Sequence, residues 1–114
     1  MGGLANKTQR YAAAYAVGTY QRAATRANQL GYALSLHGSL QRDLDLIAVP
    51  WTDEACSARD LVAAICDEFD VQPNRSIGDP ERKPHGRLAW SIPLWWGAYI
   101  DLSVIPRQIP DAPE

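Results

Sequence analysis

His37-Gly38-Ser39-Leu40-Gln41-Arg42-Asp43-Leu44-Asp45-Leu46-Ile47-Ala48-Val49 is the stretch on which the reading of this chain turns. Gly38-Ser39 punctuates it, and an apolar run interrupted by Asp43 and Asp45 follows. Strand side chains alternate between faces, so the two aspartates share one face while Leu44, Leu46 and Ala48 share the other. Carboxylates held roughly 7 Å apart along a strand repel each other, and a cation between them relieves the repulsion. Hard oxygen ligands of this kind suit divalent ions such as Mg2+ or Mn2+.

Upstream, Tyr32 to His37 alternates as a first strand, with Tyr32, Leu34 and Leu36 on one side. Before it, helical spacing runs from about Thr8, an N-cap, to Leu30. Gly31 serves as the C-cap, and Gly18 marks a kink or a close approach. Downstream, the second strand runs from Asp43 to Val49 and Pro50 ends it. Thr52 or Asp53 then caps a helix reaching about Phe69, with Asp53 and Glu54 placed where the helix dipole favours acids. Ala58, Leu61, Val62, Ile65, Cys66 and Phe69 form its apolar stripe, which covers the sheet.

Residues Gln72 to Gly86 hold three prolines and two glycines and read as a loop. Arg75, Arg82, Lys83, His85 and the adjoining Arg87 concentrate positive charge there. A strand from Leu88 to Leu94 follows, with Leu88, Trp90, Ile92 and Leu94 on one face. Trp95-Trp96-Gly97 leads into a last strand, Tyr99 to Ile105, where Tyr99, Asp101, Ser103 and Ile105 share a face. The expectation is an α+β fold, a small mixed or antiparallel sheet covered by helices. It occupies one domain over residues 1–114, with tails at 1–7 and 106–114.

The chain has 114 residues and a net charge of −2, which argues against a protein that coats nucleic acid through general basicity. Cys56 and Cys66 fall in one expected helix about 15 Å apart, too far for a mutual disulfide. They read as reduced thiols of a cytoplasmic protein. The alanine-rich stretch from Tyr11 to Val17 faintly suggests a secretion signal, but tyrosines interrupt it and its pattern continues past Arg26. No apolar run is long enough to span a bilayer, so no membrane partner is expected.

Asp101 is the third acid of interest. It sits in Tyr99-Ile100-Asp101-Leu102-Ser103-Val104, where an unpaired carboxylate in an apolar strand would be costly. If that strand lies beside the one holding Asp43 and Asp45, three carboxylates converge. Three such ligands, with room for phosphate oxygens, suit two Mg2+ or Mn2+ ions in phosphoryl or nucleotidyl transfer.

Gly38-Ser39, then Asp43-Leu44-Asp45-Leu46, then Ile100-Asp101-Leu102 resemble the nucleotidyltransferase-fold superfamily, the DNA polymerase β-like group, in minimal form. The chain also looks like small phage and prophage proteins. The resemblance implies that Gly38 and Ser39 contact the triphosphate of a nucleotide. It makes Asp43 and Asp45 metal ligands, and Asp101 a ligand and the base that deprotonates an acceptor hydroxyl. This chain departs from the family in its spacer, because only Leu40, Gln41 and Arg42 separate Gly-Ser from the first aspartate. Arg42, with Lys83, His85 and Arg87, would then supply phosphate contacts.

The partners so implied are a nucleoside triphosphate and an acceptor or protein partner of unknown identity, and a homodimer is compatible with the reading. A different class fits as well: a non-catalytic binding or inhibitory protein, phage or antitoxin-like, on the same fold. A third reading is a structural domain whose acids pair with Arg42 or Arg107. Smaller expectations accompany these. His37 packs at a strand end, Trp90 joins the core, and Trp95-Trp96 offers a partner surface.

Overall fold

The computed structural model describes residues 17–38, 43–73, 77–94 and 97–107. Within them a helix, α1, covers residues 17–29. The remaining elements are β1 (Tyr32–His37), β2 (Leu44–Pro50), α2 (Ala58–Glu68), β3 (Glu81–Arg82), a 3-10 turn at Pro84–Gly86, β4 (Leu88–Pro93) and β5 (Tyr99–Val104). The fold is α+β with a five-stranded mixed sheet in the order β1-β2-β5-β4-β3. The β1–β2, β3–β4 and β4–β5 pairs are antiparallel, and the central β2–β5 pair is parallel.

Alternation decides which face of the sheet is covered. Leu34, Leu44, Leu46, Ala48, Trp90, Ile92, Ile100, Leu102 and Val104 are all buried and meet Ala23 and Ala27 of α1 and Leu61, Val62, Ile65 and Cys66 of α2. Register confirms a single layer, since Leu44 lies beside Ile100, Leu46 beside Leu102 and Trp90 beside Leu102. The opposite face carries Ser35, His37, Asp45, Ser91, Asp101 and Ser103, each exposed or half-buried. Both aspartate-bearing strands therefore turn their buried apolar residues to the helices and Asp45 and Asp101 outward, beside Ile47, Val49 and Tyr99.

The helix after β2 begins later than its acids suggest. Ser57, not Thr52 or Asp53, is the N-cap, and its side chain accepts from the Asp60 amide. Residues 51–56 dock onto the end of α1 instead. The Trp51 and Thr52 amides donate to the Gly31 carbonyl, and the Cys56 amide donates to the Leu30 carbonyl. Gly31 has φ +92°, and a Cβ there would lie 2.6 Å from the Ala55 Cα, so the close approach requires glycine. These bonds hold residues 51–56 against the Leu30-Gly31 turn, with the Ala55 amide closing a turn onto the Thr52 carbonyl, and the helix begins only beyond them. The correction also places Cys56 outside α2. Both cysteines are free, and burial pushes the Cys66 thiol up to about 11, which keeps it protonated and unreactive.

Three smaller differences follow from the same structure. The expected loop 72–86 contains the short strand β3 and the 3-10 turn, because Glu81 and Arg82 pair with Ala89 and Leu88. Gly18 lies inside α1, with nothing within 4 Å of where a Cβ would stand, so it makes no close approach. Thr8, Tyr11 and Tyr15 lie outside the described residues. Among those described, no helix is long and apolar enough to cross a membrane.

Candidate functional site

The parallel pairing of β2 with β5 sets Asp45 directly beside Asp101. Neighbouring strands are about 4.8 Å apart and laterally paired residues point the same way, so these two carboxyls stand together on the uncovered face. The Asp101 carboxyl is raised above its ordinary value, and burial is the largest cause. The hydrogen bond from Ser91 opposes that rise, whereas the charges of Asp43 and Asp45 and a hydrogen-bond contact with Asp45 reinforce it. The strand pairing thus forces together groups that repel when both are ionised.

Each acid has a support of its own. The Ser91 hydroxyl on β4 donates to Asp101 Oδ1 at 2.9 Å, from a position paired with Asp101 in the sheet. The Tyr99 amide at the head of β5 donates to Asp43 Oδ1 at 3.2 Å. Gly38 has φ +80°, and a Cβ built there would collide with the Asp45 carboxylate. Gly38 therefore lies against the second aspartate, and a glycine is required there twice, for backbone conformation and for space. Gly38→Ala is expected to cost about 1–3 kcal/mol in chemical denaturation, the usual penalty of a strained left-handed residue. In the same variant the Asp45 and Asp101 carboxyl resonances should move.

The third acid is less well gathered than the sequence suggests. Asp43 is near enough to act on Asp101 through its charge, but one of its oxygens is occupied by the Tyr99 amide. Among the described residues, no group of three His, Cys, Asp or Glu side chains is close enough to hold a metal ion together. Two adjacent carboxylates, Asp45 and Asp101, do fit the hard-ligand chemistry of Mg2+ or Mn2+. Asp43 would have to release the Tyr99 amide to complete the set.

The basic residues separate into those near the acids and those far from them. Arg87 Nη1 donates to Ser103 Oγ at 3.2 Å, and Ser103 follows Asp101 on the same face by one alternation, roughly 7 Å. Lys83 and His85 are not gathered with the acids. They lie at the Leu88–Val104 end of the sheet, where the Lys83 amide donates to the Arg87 carbonyl, and Lys83 Nζ pairs with Glu81 at 3.0 Å. His85 is exposed on the 3-10 turn with φ +66°. The turn that reverses the chain between β3 and β4 aims them away. Ser39, Arg42, Arg75, Trp95 and Trp96 lie outside the described residues.

Other expectations resolve individually. His37 is exposed, not packed, and sits across from Asp45 in the β1–β2 register. Trp90 is in the core. Arg107 donates to the Ala55 carbonyl, so its guanidinium is engaged away from Asp43. Sequence reading passed over Ser91 and Tyr99. A serine at an outward strand position carries no signal until its neighbour across the sheet is known. A cleft of about 480 Å³ between Arg59, Val62 and Ala63 of α2 and Ile77–Asp79 lies on the helix side, away from the acids.

The raised Asp101 pKa makes folding stability depend on pH. A carboxyl whose folded value exceeds its unfolded value favours folding when protonated, and that contribution is lost as pH rises through the folded value. The stability gap between wild type and Asp101→Asn should therefore narrow as pH falls from 7 toward 3.8, the ordinary aspartate value. Urea titrations at several pH values read it directly. A gap that widens on acidification contradicts the assignment.

No family model, no curated protein and no solved structure matches the chain.

Proposed function

We propose that this chain is a divalent-cation-dependent, nucleotidyltransferase-like protein. It takes a nucleoside triphosphate and transfers the nucleotidyl group to a hydroxyl acceptor. The observation that carries this reading is the lateral pairing of Asp45 with Asp101 on an uncovered sheet face, with Gly38 against Asp45. Two carboxylates placed side by side are destabilising on their own, and a shared cation turns that cost into a binding site. Mg2+ or Mn2+ bound there would neutralise charge on the α-phosphate and the leaving pyrophosphate.

The chain's own residues take distinct parts in this proposal. Asp45 and Asp101 are the ligands, and Asp43 joins them by exchanging the Tyr99 amide for the cation. Gly38 leaves room for the Asp45 carboxylate itself, so that Asp45 keeps its place beside Asp101. Arg87, hydrogen-bonded to Ser103 one alternation beyond Asp101, offers a guanidinium to phosphate. Asp101 accepts the proton of the attacking hydroxyl. The test is transfer of label from α-labelled nucleoside triphosphates, with Mn2+, onto components of a cell lysate. Labelling by wild type and none by Asp45→Asn is the expected result, and equal labelling by both would refute it.

One observation favours a second reading, a non-catalytic binding or inhibitory protein of phage or antitoxin type. Asp43 is tied to a backbone amide, and Lys83 and His85 lie at the other end of the sheet. Such a protein would keep its partner affinity when Asp45 and Asp101 become asparagines, whereas the enzyme would lose triphosphate binding.

A further inference from the structure

Resting on the nucleotidyl-transfer reading, we propose that Ser91 is itself an acceptor, so that the chain nucleotidylates its own β4 hydroxyl. An acceptor hydroxyl has to lie within hydrogen-bond reach of the base that takes its proton. Ser91 already does, since its hydroxyl donates to Asp101 Oδ1 at 2.9 Å with no incoming substrate. Ser91 is exposed and stands in the same cross-strand row as Asp101 and Asp45, on the same face. Ala89 and Pro93, its neighbours on that face of β4, have no long side chain to obstruct a nucleotide. A hydroxyl fixed on a paired strand also has the proximity advantage of an intramolecular reactant.

The step balances without any further reagent beyond a nucleoside triphosphate and a divalent cation. A bond forms between Ser91 Oγ and the α-phosphorus, and the α–β phosphoanhydride bond breaks. Pyrophosphate leaves with the electron pair, and the hydroxyl proton passes to Asp101. The product is a phosphodiester on Ser91. It occupies the place where an external acceptor would sit, so labelling stops at one nucleotide per chain and the modified protein is shut off.

The test uses the full chain, Mn2+ and a mixture of ribonucleoside triphosphates labelled at the α-phosphate. Label on the chain is located by peptide mass spectrometry, and Mn2+ binding is followed separately by calorimetry. Wild type should become labelled on Ser91. Ser91→Ala should lose at least about a hundredfold in labelling, the scale of losing a positioned acceptor and base, while still binding Mn2+. Ser91→Thr should keep a substantial share of the label. Undiminished labelling of Ser91→Ala, or a wild type that binds Mn2+ and triphosphate without labelling itself, overturns this inference and leaves the transfer reading standing. Loss of Mn2+ binding in Ser91→Ala overturns it too, because Ser91 would then serve to hold Asp101. A wild type that binds no Mn2+ brings down both.

Discussion

Leu102→Ala is expected to cost about 2–5 kcal/mol of folding stability, the range for emptying a buried leucine site. Leu102 is fully buried at the centre of β5, the strand that pairs with both β2 and β4. Its lateral neighbours Leu46 and Trp90 are themselves buried, and strands fixed on both sides cannot close over the vacated space. In a domain of this size the loss should lower the unfolding temperature by more than about 10 °C. Calorimetric unfolding measures it. A drop of only a degree or two would mean that β5 is not the centre of the sheet.

The second large effect has two opposite signs. Replacing Asp45 and Asp101 together by asparagine removes a repulsion that the strand register imposes, while Ser91 can still donate to an asparagine oxygen at position 101. In EDTA the double variant should unfold about 2–6 °C higher than wild type, consistent with roughly 0.5–1 kcal/mol for a partly exposed charge pair. With Mn2+ present the order should reverse. The double variant should lose more than about a hundredfold in affinity for the ion, at least as much as losing a supporting contact costs. Acids that serve a purely structural role would show the contrary pattern, with the variant less stable whether or not Mn2+ is present.

Period-two patterning made much of this fold legible. In β4 and β5 inward Trp, Ile, Leu and Val alternate with smaller or polar outward residues, and in β2 Leu44, Leu46 and Ala48 face inward with Asp45 outward, so both the strands and the faces could be read. The apolar stripe of α2 was equally plain. The start of that helix was not, because Asp53 and Glu54 look like first-turn acids. The competing Gly31 carbonyl, which captures residues 51 and 52, comes from a distant part of the chain. Local signals cannot report a long-range hydrogen bond.

The candidate site divides along the same line. Asp43 and Asp45 were legible as a pair from their spacing, and Asp101 from its apolar setting. That Asp45 and Asp101 would stand side by side depends on the parallel register of strands more than fifty residues apart, which no short motif encodes. The attachment of Asp43 to the Tyr99 amide goes with that register, and that of Asp101 to Ser91 with the β4–β5 pairing. The cluster of basic residues misled because charge in one stretch of sequence says nothing about which end of a sheet it reaches. Among the described residues of that cluster, Arg87 reaches Ser103 on the acid-bearing face.

The central claim is that Asp45 and Asp101 form one cation site, and thermal unfolding with and without Mn2+ measures it most directly. Stabilisation of wild type by Mn2+ that rises with ion concentration, and is absent in Asp45→Asn with Asp101→Asn, is the predicted result. An unfolding temperature that Mn2+ leaves unchanged in wild type, or shifts equally in both proteins, would contradict it.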